Sequence, residues 1–379
     1  MPANGLTLLQ NHNCLMTLLC GIIGLPNAGK STLFNALTGK NVPVENFPYT
    51  TTESNIAIVN IPDERLYKLS EMEQPYKTTP NTIEFIDIAG IASGAHSGEG
   101  LGNKFLDAVR HCEALIHVVR CFDDENVLHI NNRIDPIKDK EEVDLELQFK
   151  DLEVVEKSIE RNKKAMKGGD KAPLKTLELL EKIKTQLESG GFVRDMEFSD
   201  DETKILKSFS FLTSKKVLYV ANVDEDGING NQHTQRLSES AAEEKAEMLI
   251  LNCRLESDIR QIEDEAERKE FMEMYGLKQP GVNRLIQSAF KLLDLITFFT
   301  VGKKEVRAWT TPKNSTAPQA AGVIHSDFER GFIRAEMIKY EDYINYGSEQ
   351  ACKDHAKFHV VGKDYIVQDG DLLHFLFNV

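Results

Sequence analysis

The segment GLPNAGKSTLFNALTG, Gly24 to Gly39, constrains the fold of this chain more than any other. An apolar run, Leu18 to Ile23, leads straight into it, and a helix-forming stretch leaves it. Gly24, Gly29, Lys30 and Ser31 satisfy the pattern G-x-x-x-x-G-K-[ST]. The glycines let the backbone curl until its N–H groups face one point, and the positive end of the following helix adds to that field. Asn27, Ala28, Gly29, Lys30, Ser31 and Thr32 are the expected nucleotide contacts. Lys30 reaches the β and γ phosphates, and the Ser31 hydroxyl holds Mg²⁺. Strand before, loop between and helix after predict an α/β P-loop nucleotide-binding fold.

A second strand should complete the site. Ile83 to Ile88 is apolar and delivers Asp87 at its carboxyl end, where a carboxylate can hold a Mg²⁺-bound water. Gly90 leaves room for a backbone N–H at a γ-phosphate, and Gly94, Gly98, Gly100 and Gly102 follow in a segment suited to a switch. The runner-up, a small-molecule kinase, explains that glycine-rich segment less well. GTPases of the Ras type place a water-orienting glutamine after this glycine. Here the residue is Ile91, so intrinsic hydrolysis is expected to be slow unless another group positions the water. Asn46 to Thr52 occupies the place of a first switch, whose threonine can close over the metal. A further strand ends at Asn222-Val223-Asp224-Glu225. A guanine-reading motif has a lysine where Val223 stands and an aspartate where the longer Glu225 stands, so the guanine lock is weakened.

Apolar runs at Leu18–Ile23, Ile56–Ile61, Ile83–Ile86, Leu115–Phe122, Val217–Ala221 and Met248–Leu251 alternate with helical patterns. Several are apolar on both faces, as in a helix-covered, doubly wound, mostly parallel sheet. Between about residues 131 and 207 the strands vanish. Leu145, Leu152, Ile159 and Met166 recur every seven residues, with Phe149 and Val155 or Val154 between them, which is a coiled-coil seam. Leu177, Leu180, Ile183 and Leu187 form a second stripe, predicting an antiparallel helical hairpin. Its tip is basic, with Arg161, Lys163, Lys164, Lys167 and Lys171 against Asp170. A solvated helix end explains that charge about as well as a contact with RNA does. From about Leu295 a hairpin around Gly302-Lys303-Lys304, one helical stretch at about Tyr340–Ala356 and a strand-rich end predict a small α+β module.

The net charge of −15 rules out arguing a nucleic-acid partner from global electrostatics, so only a local basic surface such as the hairpin tip would serve. The six scattered cysteines suggest reduced thiols, and no apolar run reaches the roughly 20 residues that span a bilayer. A cytoplasmic protein without membrane contact is expected, with residues 1–15 an N-terminal extension of no assigned function.

GLPNAGKSTLFNALTG, NFPYTTTE, DIAGI, GEGLGNKFL, HVVRCF and NVDEDG, followed by KEVRAWTTP, TAPQAAGVIHSDFERGFIRAE and DGDLLHFLFNV, resemble the YchF branch of the Obg family, the Obg-like ATPases. The resemblance covers nearly all of Met16 to Val379. It implies a nucleotide-binding domain (residues 16–292) with a coiled-coil insertion (131–207) and a C-terminal TGS domain of β-grasp type (294–379). It implies slow hydrolysis of ATP in preference to GTP, and association with the ribosome, in contact with its 50S or 70S form. Residue by residue it places Thr51 with Ser31 and Asp87 at Mg²⁺, Gly90 and Ile91 at the catalytic position, and Asn222, Val223 and Glu225 at the base. Cys253-Arg254-Leu255 falls loosely on a base-backing loop. Asn27 stands where K⁺-activated relatives carry asparagine, making K⁺ a possible second cofactor. His129 lies in a loop from which it can swing in to order water, although an ordinary surface histidine is the commoner reading. Two other functions stay open: a GTP-specific enzyme, because Asn222 is retained, and a passive rRNA- or ribosome-binding module with incidental hydrolysis.

Overall fold

The computed structural model describes residues 18–39, 44–46, 55–88, 108–129, 133–167 and 174–378, with 44–46 and 167 as backbone alone. They form two compact units, residues 19–59 with 84–285, and residues 60–83 with 286–379.

The larger unit is built on β1 (Leu19–Ile23), β2 (Val44–Asn46) and β3 (Asn55–Asn60), then, after β4 (Lys77–Thr79) of the other unit, β5 (Thr82–Asp87), β6 (Ala114–Arg120), β7 (Lys216–Asn222) and β8 (Glu247–Leu251). Their order is β2-β3-β5-β1-β6-β7-β8. The pairs β5–β1, β1–β6, β6–β7 and β7–β8 are parallel, and β2–β3 is antiparallel. β1 and β6 are buried at every position, as strands of a sheet covered on both faces are, with His117 and Arg120 the polar members of β6. Ile22 pairs with Asp87, Ile23 with His117, Arg120 with Asn222 and Asn222 with Leu251. The loops after five strands therefore open on one edge, where ligands of open α/β sheets bind. The strands expected from the sequence are all present, shifted by one or two residues. β6 stops at Arg120 because the Arg120 guanidinium turns the chain, donating to the Phe122, Asp124 and Val127 carbonyls at 3.2, 2.9 and 2.8 Å.

Two helices, Pro136–Lys167 and Leu174–Glu188, pack antiparallel, as shown by Lys184 with Glu156 and Lys163 with Glu181, each at 2.8 Å. Val155 and Ile159 meet Leu179, Leu180, Ile183 and Leu187 in one core. The expected seven-residue seam is shorter than the sequence suggests. Leu145 and Phe149 are 49% and 48% exposed, because that part of the helix turns Val143 and Leu147 into the sheet core instead. A helix of 3.6 residues per turn drifts against a strict seven-residue repeat, so one stripe cannot serve both neighbours. Residues 168–173, Asp170 and Lys171 among them, lie outside the described residues.

The smaller unit adds β9 (Leu295–Thr300), β10 (Glu305–Pro312), β11 (Phe332–Ile338), β12 (His359–Val361) and β13 (Leu372–Phe377) in the order β12-β11-β13-β9-β10-β4. The expected hairpin is β9–β10, antiparallel, with Arg307 opposite Thr300. Three features depart from expectation. A helix at Ala317–Ile324, capped by Thr316 and Gln319, precedes the C-terminal helical stretch, and Gly347, at φ 84°, breaks that stretch in two. Residues 60–83 belong to this unit and not to the nucleotide-binding part, where the expected boundaries put them. β4 pairs with β10, and Leu66 and Leu69 of the Glu64–Glu73 helix bury against Phe299 and Val306.

Candidate functional site

A cleft of about 550 Å³ opens on the carboxyl edge of the large sheet. Its floor is the loop between β1 and the Lys30–Thr38 helix. Asn27 and Gly29 hold positive φ of 63° and 105°, and that curl turns the helix start toward the opening. No side chain caps this helix, so its first N–H groups remain for an anion. A Cβ on Gly29 would stand 2.3 Å from Asn222 Nδ2, and one on Gly24 2.3 Å from the Val118 carbonyl, so both positions require glycine.

The electrostatics converge at the helix start. Lys30 is buried and donates to the Leu25 carbonyl at 2.8 Å. Burial lowers its pKa to about 8, against the opposing pull of Asp87. The Ser31 hydroxyl donates to Asp87 Oδ2 at 3.0 Å, while Asp87 Oδ1 is buried with no hydrogen-bond partner. Burial raises the Asp87 pKa, and Ser31 and Lys30 counter it. A hydroxyl beside an unsatisfied carboxylate oxygen is a hard-oxygen donor set that suits Mg²⁺. Among the described residues no group of three or more His, Cys, Asp or Glu is gathered for a metal, so a cation here would draw its remaining ligands from nucleotide oxygens and water.

The opposite wall comes from three loops. Asn222 ties this wall to the floor: Nδ2 donates to the Ala28 carbonyl at 2.9 Å, and Oδ1 accepts from the Cys253 N–H at 3.1 Å. Val223 sits in the sheet core, 2% exposed. Glu225 lines the cleft, as do Cys253, Arg254 and Leu255. Of the expected nucleotide contacts, Asn27, Gly29, Lys30, Ser31, Thr32, Asn222, Val223 and Glu225 border the cleft. Ala28 is buried behind it. Thr51, Gly90 and Ile91 lie outside the described residues.

His129 differs from expectation. Its side chain is 6% exposed, so it is no surface histidine, and it is not among the residues bordering the cleft. Its Nε2 lies 2.8 Å from Asp139 Oδ2.

Sequence reading missed Phe122, Asp123, Asp124 and Val127, which enter the cleft because Arg120 gathers their loop. It also missed Phe271 and Tyr275, ring centroids 5.4 Å apart, on the Glu265–Met274 helix and just beyond it. Aromatic residues four apart in a predicted helix were the available signal.

Family models match two parts of the chain: the YchF GTPase C-terminal family over residues 295–378, and the 50S ribosome-binding GTPase family over residues 19–159. The ribosome-binding ATPase YchF of Escherichia coli O157:H7 is 49% identical over 360 residues, covering 95% of this chain and 99% of that protein. The protein of the same description from Bacillus subtilis strain 168 is 47% identical over 367 residues, covering 96% of this chain and 100% of the relative. The solved structure of the Schizosaccharomyces pombe YchF GTPase aligns with a TM-score of 0.82 at 34% identity, covering 95% of this chain and 98% of that one.

Proposed function

The chain belongs to the YchF family, and from that premise we propose that it is a ribosome-associated, Mg²⁺-dependent ATPase serving translation as a slow conformational switch. One observation carries the catalytic part: Lys30, Ser31 and the half-satisfied carboxylate of Asp87 meet at an uncapped helix start on the ligand-binding edge of a parallel sheet. In that setting Lys30 exchanges its bond to Leu25 for phosphate oxygens, and Ser31 and Asp87 hold the metal. Mg²⁺, when bound, neutralises charge on the phosphate oxygens and the leaving group. Thr51 would join the metal's ligands, the Gly90 N–H would serve the γ-phosphate, and the apolar Ile91 cannot orient water, which leaves that task to His129 and keeps turnover slow. Asn27 would hold K⁺, which would supply positive charge beside the phosphates.

The preference for ATP rests on the base end. Guanine discrimination needs polar groups free to pair with the base. Asn222 spends both ends of its amide on Ala28 and Cys253, and no lysine stands at Val223. Phe122, Phe271, Tyr275 and Leu255 supply contact area that accepts any purine. Lys30→Ala or Ser31→Ala is expected to abolish nucleotide binding, and titrating ATP and GTP against one preparation measures the preference. Unchanged ATP affinity in either variant refutes the assignment.

The relatives' name, ribosome-binding ATPase, supports the ribosome as partner. We assign that contact to the basic end of the helical hairpin and to the C-terminal unit, with rRNA as the surface touched and the cytoplasm as the location. Sedimentation with ribosomes under ATP, ADP and no nucleotide tests it. Equal binding in all three states marks a passive module. A GTP-specific enzyme is the second reading, favoured by the GTPase description of the family model over residues 19–159 and of the S. pombe relative. A lower Kd for GTP than for ATP would establish it.

A further inference from the structure

Behind the phosphate loop, Leu25, Pro26 and Ala28 share one small cavity wall with His129 and Asp139. His129 Nε2 and Asp139 Oδ2 lie 2.8 Å apart, with both side chains nearly buried, 6% and 5% exposed. Asp139 stands in the first turn of the Pro136–Lys167 helix. Its other oxygen, Oδ1, faces Arg133 at 3.5 Å, so the carboxylate keeps a cationic partner whether or not His129 stays. One residue before the histidine, the Leu128 carbonyl accepts from Asn27 Nδ2 of the phosphate loop at 3.0 Å. The His129 loop is thus tied at two adjacent points, to the nucleotide cradle and to the base of the hairpin.

Resting on the ATPase reading above, in which His129 acts on water at the γ-phosphate, we propose that Asp139 is a positioning residue that latches His129 outside the cleft, and that Asn27 releases the latch when nucleotide or its cation claims the Asn27 amide. The arrangement supplies what a ligand-driven change needs, a contact that differs between the two states. With nucleotide absent, Asn27 holds Leu128 and Asp139 holds His129. With the amide engaged in the cradle, the Leu128 tether is lost and the imidazole is free to turn toward the cleft opening, leaving Asp139 to Arg133. Because Asp139 belongs to the first helical turn, a tilt of the hairpin base and the departure of His129 become one motion.

The latch predicts a kinetic pattern that a merely structural pair does not produce. A hydrogen bond to a buried charged group is strong enough to hold His129 latched roughly tenfold or more in excess over released. Asp139→Asn keeps the shape and weakens that bond, so kcat for ATP hydrolysis should rise several-fold to about tenfold, and because release is linked to nucleotide binding, ATP Kd should fall rather than rise. Asp139→Glu, which keeps the charge, should restore most of the wild-type rate. His129→Ala should lose hydrolysis, and the double variant should match His129→Ala. In the wild-type protein, the ¹⁵N signals of the His129 ring should move when Mg²⁺ and a non-hydrolysable ATP analogue are added. Wild-type protein that binds no ATP overturns the ATPase reading itself. Intact wild-type hydrolysis together with an Asp139→Asn rate at or below wild type overturns the latch alone. So do ring signals unmoved by the analogue, a readout that stands even where Asp139→Asn fails to fold.

Discussion

At the scale of single residues, the site works by keeping polar groups poised and only partly satisfied. Lys30 is the clearest case. In the empty cleft its pKa is lowered to about 8 by burial. Triphosphate charge favours the ammonium, so the pKa rises in the complex, and above about pH 8 binding must take up a proton. ATP affinity should fall as pH rises past 8, by up to about tenfold per unit until the bound-state pKa is reached. Titration calorimetry in buffers of different ionisation enthalpy reads the proton uptake directly. An affinity flat from pH 7 to 9.5 contradicts the assignment of Lys30 to the phosphates. Gly29 gives the steric counterpart. Gly29→Ala places a methyl group 2.3 Å from Asn222 Nδ2 at a φ of 105°, costing about 1–3 kcal/mol of backbone strain and pushing Asn222 off the Ala28 carbonyl. Loss of ATP affinity with a cooperative melt retained is the expected result. The motif residues of this site were legible in the sequence because their spacing is itself the chemistry. His129 was not. Its partner Asp139 lies ten positions on, in the first turn of a helix, and no local pattern announces such a pair.

Secondary elements show where periodicity is informative and where it misleads. Strands β1, β6 and β7 were readable because burial on both faces demands unbroken apolar runs. The helical hairpin was readable in kind, yet its seam was not. Leu145 and Phe149 match the seven-residue pattern and still face solvent, while Val155 and Ile183 are fully buried. Substitution separates the two descriptions. Ile183→Ala should cost about 2–5 kcal/mol, as large-to-small changes in a packed core do, whereas Leu145→Ala should cost well under half of that. Chemical denaturation of both variants measures the difference, and equal costs would restore the longer seam. Asp151 adds a polar anchor to the same helix. Its buried carboxylate accepts the Leu212 and Thr213 N–H groups at 2.9 and 2.8 Å and the Thr213 hydroxyl at 2.7 Å. Asp151→Ala would leave three donors unmet in the interior, and a drop in melting temperature of several degrees is expected.

At the scale of the whole molecule, the chain order and the order of packing diverge. Residues 60–83 lie in sequence between two strands of the large sheet but build part of the smaller unit. They contribute β4 at its edge, the buried Leu66 and Leu69, and Arg65, which bonds Asp369 at 2.6 Å. A fragment starting at residue 286 should therefore fold poorly, exposing Phe299 and Val306. Linking residues 60–83 to that fragment should recover a dispersed amide spectrum, and a well-folded fragment without them would refute this division. Sequence alone determined the phosphate loop, the strand content, the presence of two long helices and the family, because each is written in local spacing or in long matching blocks. Only the tertiary structure decided which residues share a core across the 60–83 excursion, which face of the long helix meets its partner, and where His129 rests. Those outcomes depend on burial competing among distant segments, and a one-dimensional pattern carries no record of which competitor wins.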